Sequence, residues 1–403
     1  MSDFFQGGAI TTFHDFGQPD YDRLEAELAA FAILRPLALV LPSLHSELRG
    51  PALPGILDEL SQVRYVSRVV VSLGSADAAQ FREAVRFFSR LPQPVRIVWN
   101  DGPRMQHLKT LMRDHNLFLG EPGKGLAAWM ACGYVLSDPS LRAVALHDCD
   151  IVTYDRILLH RLVYPILNPL LDYEFCKGFY ARVSGRLYGR ATRIFVTPLV
   201  RALQKILGHT PYLTYVDSFR YPLSGEFCMN ADVARINRIP SDWGLEVGTL
   251  SEVFRNYSTR RICQVDLGIN YEHKHQEAGI DDPGKGLMRM AREIALAVFH
   301  AVAAEGTELS TSFFRTLRAA YLRCAQDAIR QFADLSALNG LAYDRHAEDV
   351  LAEQFVRMLE SAGEDFLRNP FGSPQIPNWN RVRSAIPDIF DRIRSEVDAD
   401  NDA

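Results

Sequence analysis

The sequence has no apolar run approaching the ~20 residues that a membrane helix needs, no C-x-x-C pair and no internal repeat. Its six cysteines, at 132, 149, 176, 228, 263 and 324, are spread too widely for a disulfide framework or a zinc-finger spacing. They read as reduced, buried thiols, which points to the cytoplasm. A surplus of positive charge is also lacking: 44 Lys and Arg against 49 Asp and Glu leave a net charge of −5. No global basic field is available to recruit nucleic acid or an acidic membrane, so an anionic ligand must be held by a local cluster. The opening Met-Ser-Asp-Phe-Phe-Gln-Gly-Gly lacks a basic stretch followed by an apolar one, so no secretory signal is expected.

What is present is enough apolar residue for a substantial core: 47% hydrophobic against 23% charged over 403 residues. Residues 1–19 read as a polar arm and Tyr21–Ile33 as a helix, closing a first segment at residue 35. Short apolar runs at Leu37–Leu41, Arg68–Ser72 and Val95–Trp99 read as strands, separated by helical patterns at Leu53–Gln62 and 78–90. Helix Gly125–Leu136 and strand Ala143–Leu146 continue the rhythm, and a further strand is read near Gln264–Gly268. This alternation predicts an α/β fold with a mostly parallel central sheet, whose ligands sit beyond the carboxyl ends of the strands. After about residue 285 only helical patterns remain, at 287–304, 309–336, 344–362 and 378–397. The expected division is therefore 1–35, a catalytic domain over 36–285 with halves 36–150 and 151–285, and a helical region over 286–403. The acidic end, Asp398–Ala403, is expected to fray.

Strand Ala143–Leu146 delivers His147-Asp148-Cys149-Asp150 at its carboxyl end. Two carboxylates two positions apart can converge on one hard cation, Mg²⁺ or Mn²⁺, which also holds phosphate oxygens and neutralises charge on a departing diphosphate. The bland alternative is a solvated acidic turn. A rival chemistry is an aspartyl-nucleophile phosphatase using Asp148, with Asp281 and Asp282 as later metal ligands. In such enzymes the motif follows the first strand, and here three strands precede it.

Other stretches could serve an anionic substrate. Pro122-Gly123-Lys124-Gly125 opens a helix, whose N-terminus favours anions; its spacing is not that of a Walker loop. Gly189-Arg190-Ala191-Thr192-Arg193 lies in a basic stretch with Lys177, Arg182 and Arg186, and arginine matches carboxylate and phosphate bidentately. A solvated basic face explains that composition equally well. Tyr221-Pro-Leu-Ser-Gly-Glu226 joins a turn to a carboxylate. Glu246 falls inside a helix opened by Asp242-Trp243-Gly244, either as a ligand group or as a favourable charge on the helix dipole. His273 and His275 flank Lys274 beyond the late strand and could complete a metal site.

Taken in order, Pro122-Gly-Lys-Gly125, Asp148-Cys-Asp150, Gly189-Arg-x-Thr192, Pro222-Leu-Ser-Gly-Glu226, Gly244-Leu-Glu246-Val-Gly248 and His273 resemble the retaining glucosyl-3-phosphoglycerate synthases and the related mannosylglycerate synthases. The match spans roughly residues 36–276. The resemblance implies a GT-A type nucleotide-diphospho-sugar transferase fold and a divalent metal, Mg²⁺ or Mn²⁺. It further implies transfer of glucose from an NDP-glucose to the 2-hydroxyl of 3-phosphoglycerate with retention. A GDP-mannose donor and a free D-glycerate acceptor are the alternatives. In that scheme Asp150 and His273 ligate the metal, and Asp148 holds the donor ribose or the metal shell. Lys124, with Gly123, meets the diphosphate, and Glu246 meets the donor-sugar hydroxyls. Leu223–Gly225 lines the reacting face. Pro42, Ser43, Glu47, Ser72 and Cys149 belong to the donor side. Gly189, Arg190, Thr192, Asn270 and Lys274 belong to the acceptor side. The chain departs from the family at Ser43-Leu-His-Ser-Glu47, where an acidic run is usual. It departs again at Asn270-Tyr-Glu272, where an arginine often precedes the histidine. A homodimer without nucleic-acid or membrane partners is expected.

Overall fold

The computed structural model describes residues 6, 8–17, 20–241, 244–269, 286–372 and 374–402. Strand β1 (Thr11–Phe13) and helix α1 (Tyr21–Leu34) come first. Strands and helices then alternate through β2 (Leu37–Leu44), α2 (Ala52–Leu60), β3 (Val66–Gly74), α3 (Ala78–Phe88), β4 (Val95–Trp99) and α4 (Pro103–Asp114). Helix α5 (Lys124–Leu136) leads into β5 (Ala143–Leu146), α6 (Arg156–Leu167) and β6 (Phe175–Ala181). A π-helical turn (Ala191–Val196) precedes α7 (Thr197–Leu207) and α8 (Pro211–Ser218). The sheet is completed through β7 (Phe227–Asn230), α9 (Ala231–Ile236), α10 (Leu245–Asn256) and β8 (Ile262–Ile269). Helices α11 (Gly286–Ala304), α12 (Thr311–Leu338), α13 (Arg345–Arg368), α14 (Trp379–Ala385) and α15 (Ile389–Asn401) follow.

The eight strands form one sheet in the order β1-β8-β6-β7-β5-β2-β3-β4. Every neighbouring pair is parallel except the two that involve β7. The carboxyl ends of the other seven strands therefore share one edge. The reversal of β7 brings its first residue, Phe227, to that same edge. Both faces are covered, which explains why the strands read as unbroken apolar runs. In β2, Leu37, Leu39 and Leu41 join the core under α1–α3 and α6, whereas Ala38 and Val40 join the core under α4, α5 and the C-terminal helices.

Three expectations are corrected here. The N-terminal segment is not only an arm: Thr11–Phe13 pairs with Cys263–Val265 as an edge strand. The pattern at 378–397 is two helices, α14 and α15, because Pro387 in the connection lacks the amide that a continuous helix would use. The acidic end does not fray either. Asp398 accepts hydrogen bonds from Arg96 at 3.1 Å and from Tyr134 at 2.8 Å, and Asp400 pairs with Arg104.

Each edge strand is met by a side-chain amide. On β4, Asn401 accepts from the Ile97 N–H and donates to the Ile97 carbonyl, both at 2.8 Å. On β1, Gln6 does the same for Thr12, again at 2.8 Å in both directions.

The C-terminal helices also fix α5, the helix that carries Lys124. Trp129 of α5 stacks on Trp379 of α14 with ring centroids 3.9 Å apart, and its indole N–H donates to the Pro377 carbonyl at 3.0 Å. Further along α5, Gly133 leaves room for that ring.

Candidate active site

Beyond Leu146 the chain alternates inward and outward. His147 is fully buried and Cys149 is buried, whereas Asp148 and Asp150 are partly exposed. The two aspartates therefore share the open side of the strand edge, as the D-x-D spacing requires. Burial lowers the His147 pKa and raises that of the Cys149 thiol well above the ordinary range, with Asp148, Asp150 and Glu47 adding to the latter. Both side chains point into the fold and support the loop that carries the two aspartates. Ser43, on the neighbouring β2, bonds the Cys149 side chain and ties the two strand ends together.

Lys124 begins α5, and its ammonium lies 2.8 Å from Asp148 Oδ1 and 3.3 Å from Glu246 Oε1. Glu246, in the first turn of α10, is buried. Burial alone would lower the lysine pKa, but Asp148 and Glu246 outweigh it and hold it above its usual value. Three predicted residues separated by up to 122 positions thus form one ion cluster. The glycines beside Lys124 serve the fold: a Cβ on Gly125 would come within 2.2 Å of the Pro240 carbonyl oxygen, and one on Gly123 within 2.6 Å of that of Ser241.

The turn before β7 packs onto the same cluster. A Cβ on Gly225 would stand 2.5 Å from Asp148 Oδ2, so Leu223–Gly225 closes directly on that carboxylate. Behind the turn lie two charged residues whose roles the sequence reading missed. Lys177, 1% exposed, donates to the Ser224 carbonyl at 2.5 Å. Glu226, fully buried, accepts from the Ser224 hydroxyl at 2.8 Å. A visible signal existed: Lys177 is the single charge in the apolar strand Phe175-Cys-Lys-Gly-Phe-Tyr-Ala181. From the end of β6, Arg182 reaches the Tyr221 hydroxyl at 3.5 Å and feels the charge of Asp150.

The basic stretch divides into two kinds of arginine. Arg193 is committed to the fold, pairing with both Glu348 oxygens at 2.8 and 3.0 Å and lying over Phe332. Arg190 caps the π-helical turn and is partly exposed. Thr192 is buried with no hydrogen-bond partner for its hydroxyl. Gly189 takes φ +73°, a conformation glycine adopts without strain. The segment is anchored from the C-terminal region, since Tyr321 also donates to the Ile194 carbonyl at 2.8 Å.

Among the residues expected on the donor side, the Ser72 hydroxyl donates to the Ala127 carbonyl at 2.7 Å and accepts from Asn100 at 2.9 Å. It braces β3 against α5. Pro42 pairs in register with Ser72, and Glu47 lies in the 3₁₀ turn that follows β2. Asn270, His273, Lys274, Asp281 and Asp282 lie outside the described residues. Among the described residues, no group of three metal-ligating side chains converges. The carboxylates of Asp148 and Asp150 are hard oxygen donors suited to Mg²⁺ or Mn²⁺.

No family model matches the chain. The glucosyl-3-phosphoglycerate synthase of Persephonella marina is 47% identical over 401 residues, covering 100% of this chain and 99% of its own. That of Methanococcoides burtonii is 38% identical, covering 99% and 98%. The crystal structure of the Mycobacterium tuberculosis synthase with Mn²⁺, UDP and phosphoglyceric acid superposes with a TM-score of 0.52 at 24% identity, over 75% of this chain and 88% of that one. Mannosyl-3-phosphoglycerate synthase from Rubrobacter xylanophilus gives 0.55 at 21%, over 75% and 83%. The sheet order, the D-x-D at a strand end and the two structural likenesses define a GT-A type fold, and the two full-length relatives make it that of a glycosyltransferase. The chain belongs to the glucosyl-3-phosphoglycerate synthase family. The phosphatase alternative is set aside, because those synthases align with this chain end to end.

Proposed function

We propose that this protein transfers glucose from an NDP-glucose, UDP-glucose foremost, to the 2-hydroxyl of 3-phosphoglycerate with retention, giving glucosyl-3-phosphoglycerate. The observation that carries this is the Lys124–Asp148–Glu246 cluster at the strand edge of a chain that matches such synthases over its whole length. Asp150 and Asp148, with His273 as a further ligand, would hold Mg²⁺ or Mn²⁺. The ion supplies charge neutralisation for the departing diphosphate.

The chain's own groups act around that point. The Lys124 ammonium meets diphosphate oxygens and stabilises the charge they gain. Glu246 accepts hydrogen bonds from donor-sugar hydroxyls. Arg190 and the unpartnered Thr192 hydroxyl, beside Gly189, hold the acceptor's phosphate and carboxylate, with Asn270 and Lys274 on the same side. Pro42, Ser43, Glu47 and Ser72 form or brace the wall that meets the nucleoside. No second carboxylate is needed as a covalent nucleophile, because the acceptor hydroxyl attacks from the face that the diphosphate leaves and passes its proton to that diphosphate.

Residues 36–150 then act as the donor half and 151–285 as the acceptor half, with 286–403 as a buttress. We take the working form as a cytoplasmic homodimer. Six free, buried thiols support the compartment, and light scattering on purified protein decides the assembly state.

The test is a matrix of UDP-, GDP- and ADP-glucose and GDP-mannose against 3-phosphoglycerate and D-glycerate, read as nucleoside diphosphate release. UDP-glucose with 3-phosphoglycerate should turn over fastest, and only with Mg²⁺ or Mn²⁺ present. A preference for D-glycerate, or full activity in Asp150→Ala, overturns the assignment it touches.

A further inference from the structure

We propose that Lys177 is a positioning residue of the transfer reaction, holding the Ser224 carbonyl and through it the Leu223–Gly225 turn that closes on Asp148. The inference rests on the proposed transferase activity and concerns a residue that touches neither donor nor acceptor.

Lys177 is an unusual occupant of its place. It sits in the middle of β6, 1% exposed, where an aliphatic side chain would cost nothing in desolvation. Its ammonium donates to the Ser224 carbonyl at 2.5 Å and lies 5.6 Å from the centre of the Phe227 ring. Burial pulls its pKa down to about 8, against the opposing pull of the Glu246, Glu226 and Asp148 carboxylates, with Lys124 adding to the downward side. A buried cation kept at that cost needs a use beyond filling space.

The geometry supplies one. Besides Lys177, the turn is held by the Ser224 N–H on the Tyr221 carbonyl at 3.2 Å and by Leu223 packing on the core, neither of which grips the Ser224 carbonyl. Ser224 is held by the lysine at its carbonyl and by Glu226 at its hydroxyl, and the Glu226 N–H donates back to that hydroxyl at 3.2 Å. The next residue, Gly225, has no side chain and lies against the Asp148 carboxylate, whose other oxygen takes Lys124. A shift of the turn therefore moves the surface that faces Asp148 and the reacting sugar. It leaves Lys124, Glu246 and the D-x-D loop on their own elements.

The test compares unchanged protein with Lys177→Met, Lys177→Gln and Lys177→Arg, using UDP-glucose and 3-phosphoglycerate with Mn²⁺. Far-UV circular dichroism confirms folding. Lys177→Met should lower kcat by about 10²-fold, the scale of a 1 Å misplacement, with the UDP-glucose Kd within ~3-fold, while Lys177→Arg recovers at least ~10-fold of the loss. Unchanged kcat overturns the proposal. So does a fall in kcat matched by an equal fall in donor affinity, which a merely structural lysine would give. If Lys177→Met does not fold, Lys177→Gln is read by the same split, and failure of both to fold makes the residue structural and overturns it. Unchanged protein inactive in the donor–acceptor matrix overturns the transferase reading and this proposal together. Active protein with indifferent variants overturns only this one.

Discussion

The Lys124 ammonium lies 2.8 Å from Asp148 Oδ1, although one residue opens a helix and the other follows a strand. This pairing keeps a cation beside the aspartate before any diphosphate arrives. Lys124→Met should therefore lower kcat by about 10²–10³-fold, the range seen on removing one preorganised charge-stabilising group. Lys124→Arg should restore only part, because a planar fork does not replace a compact ammonium between two carboxylates. Steady-state kinetics on both variants decide the point.

Gly225→Ala is expected to act without adding or removing any charge. The added methyl would stand 2.5 Å from Asp148 Oδ2, so the turn or the carboxylate must move. We expect kcat to fall by at least ~10-fold while the thermal midpoint changes by a few degrees. An alanine variant with wild-type kcat would show that the turn is spare.

Stability should fall with acid through a group that is not part of this cluster. His160 is fully buried, 3.0 Å from the Tyr65 hydroxyl and 3.4 Å from Glu25, and burial lowers its pKa to about 4 from an ordinary 6.5. Between those values the unfolded chain binds a proton that the folded chain refuses. Stability is thus full above about 6.5 and declines as pH falls to about 4. Urea unfolding at pH 7 and pH 4.5 should differ more for the unchanged protein than for His160→Phe, by about 1.4 kcal/mol per pH unit of the window at most.

Asn401→Ala removes both hydrogen bonds to Ile97, together with the amide's bond to the Val397 carbonyl within α15. The cost should be about 1–3 kcal/mol, the penalty for leaving backbone groups unmet in a shielded place. Activity at moderate temperature should persist. An unchanged denaturation midpoint would mean that water replaces the amide at no cost.

Much of the fold was legible because a sheet covered on both faces spells its strands as apolar runs. Val95–Trp99 and Ala143–Leu146 have the bounds that the pattern predicts. Thr11–Phe13 was not legible: three residues hold no periodicity, and the partner strand lies some 250 positions away. The reversal of β7 was hidden for a similar reason, as Phe227–Asn230 carries no mark of direction. Asp398 and Asp400 looked like solvated charges until Arg96, Arg104 and Tyr134 came to meet them. At the site, the residue types identified Lys124, Asp148 and Glu246 as candidates, and the fold brings them together. Arg193 shows the opposite case, since nothing in the basic stretch reveals that Glu348 would claim it. Lys177 could have been found, because a lone charge inside an apolar strand is expensive and calls for a partner.

The amides of Gln6 and Asn401 occupy the rows along which another chain could add itself to the sheet. A strand edge without such a cover is a template for runaway stacking between molecules. Losing either amide would bare that row, and light scattering on Asn401→Ala is expected to report more edge-to-edge association than in the unchanged protein.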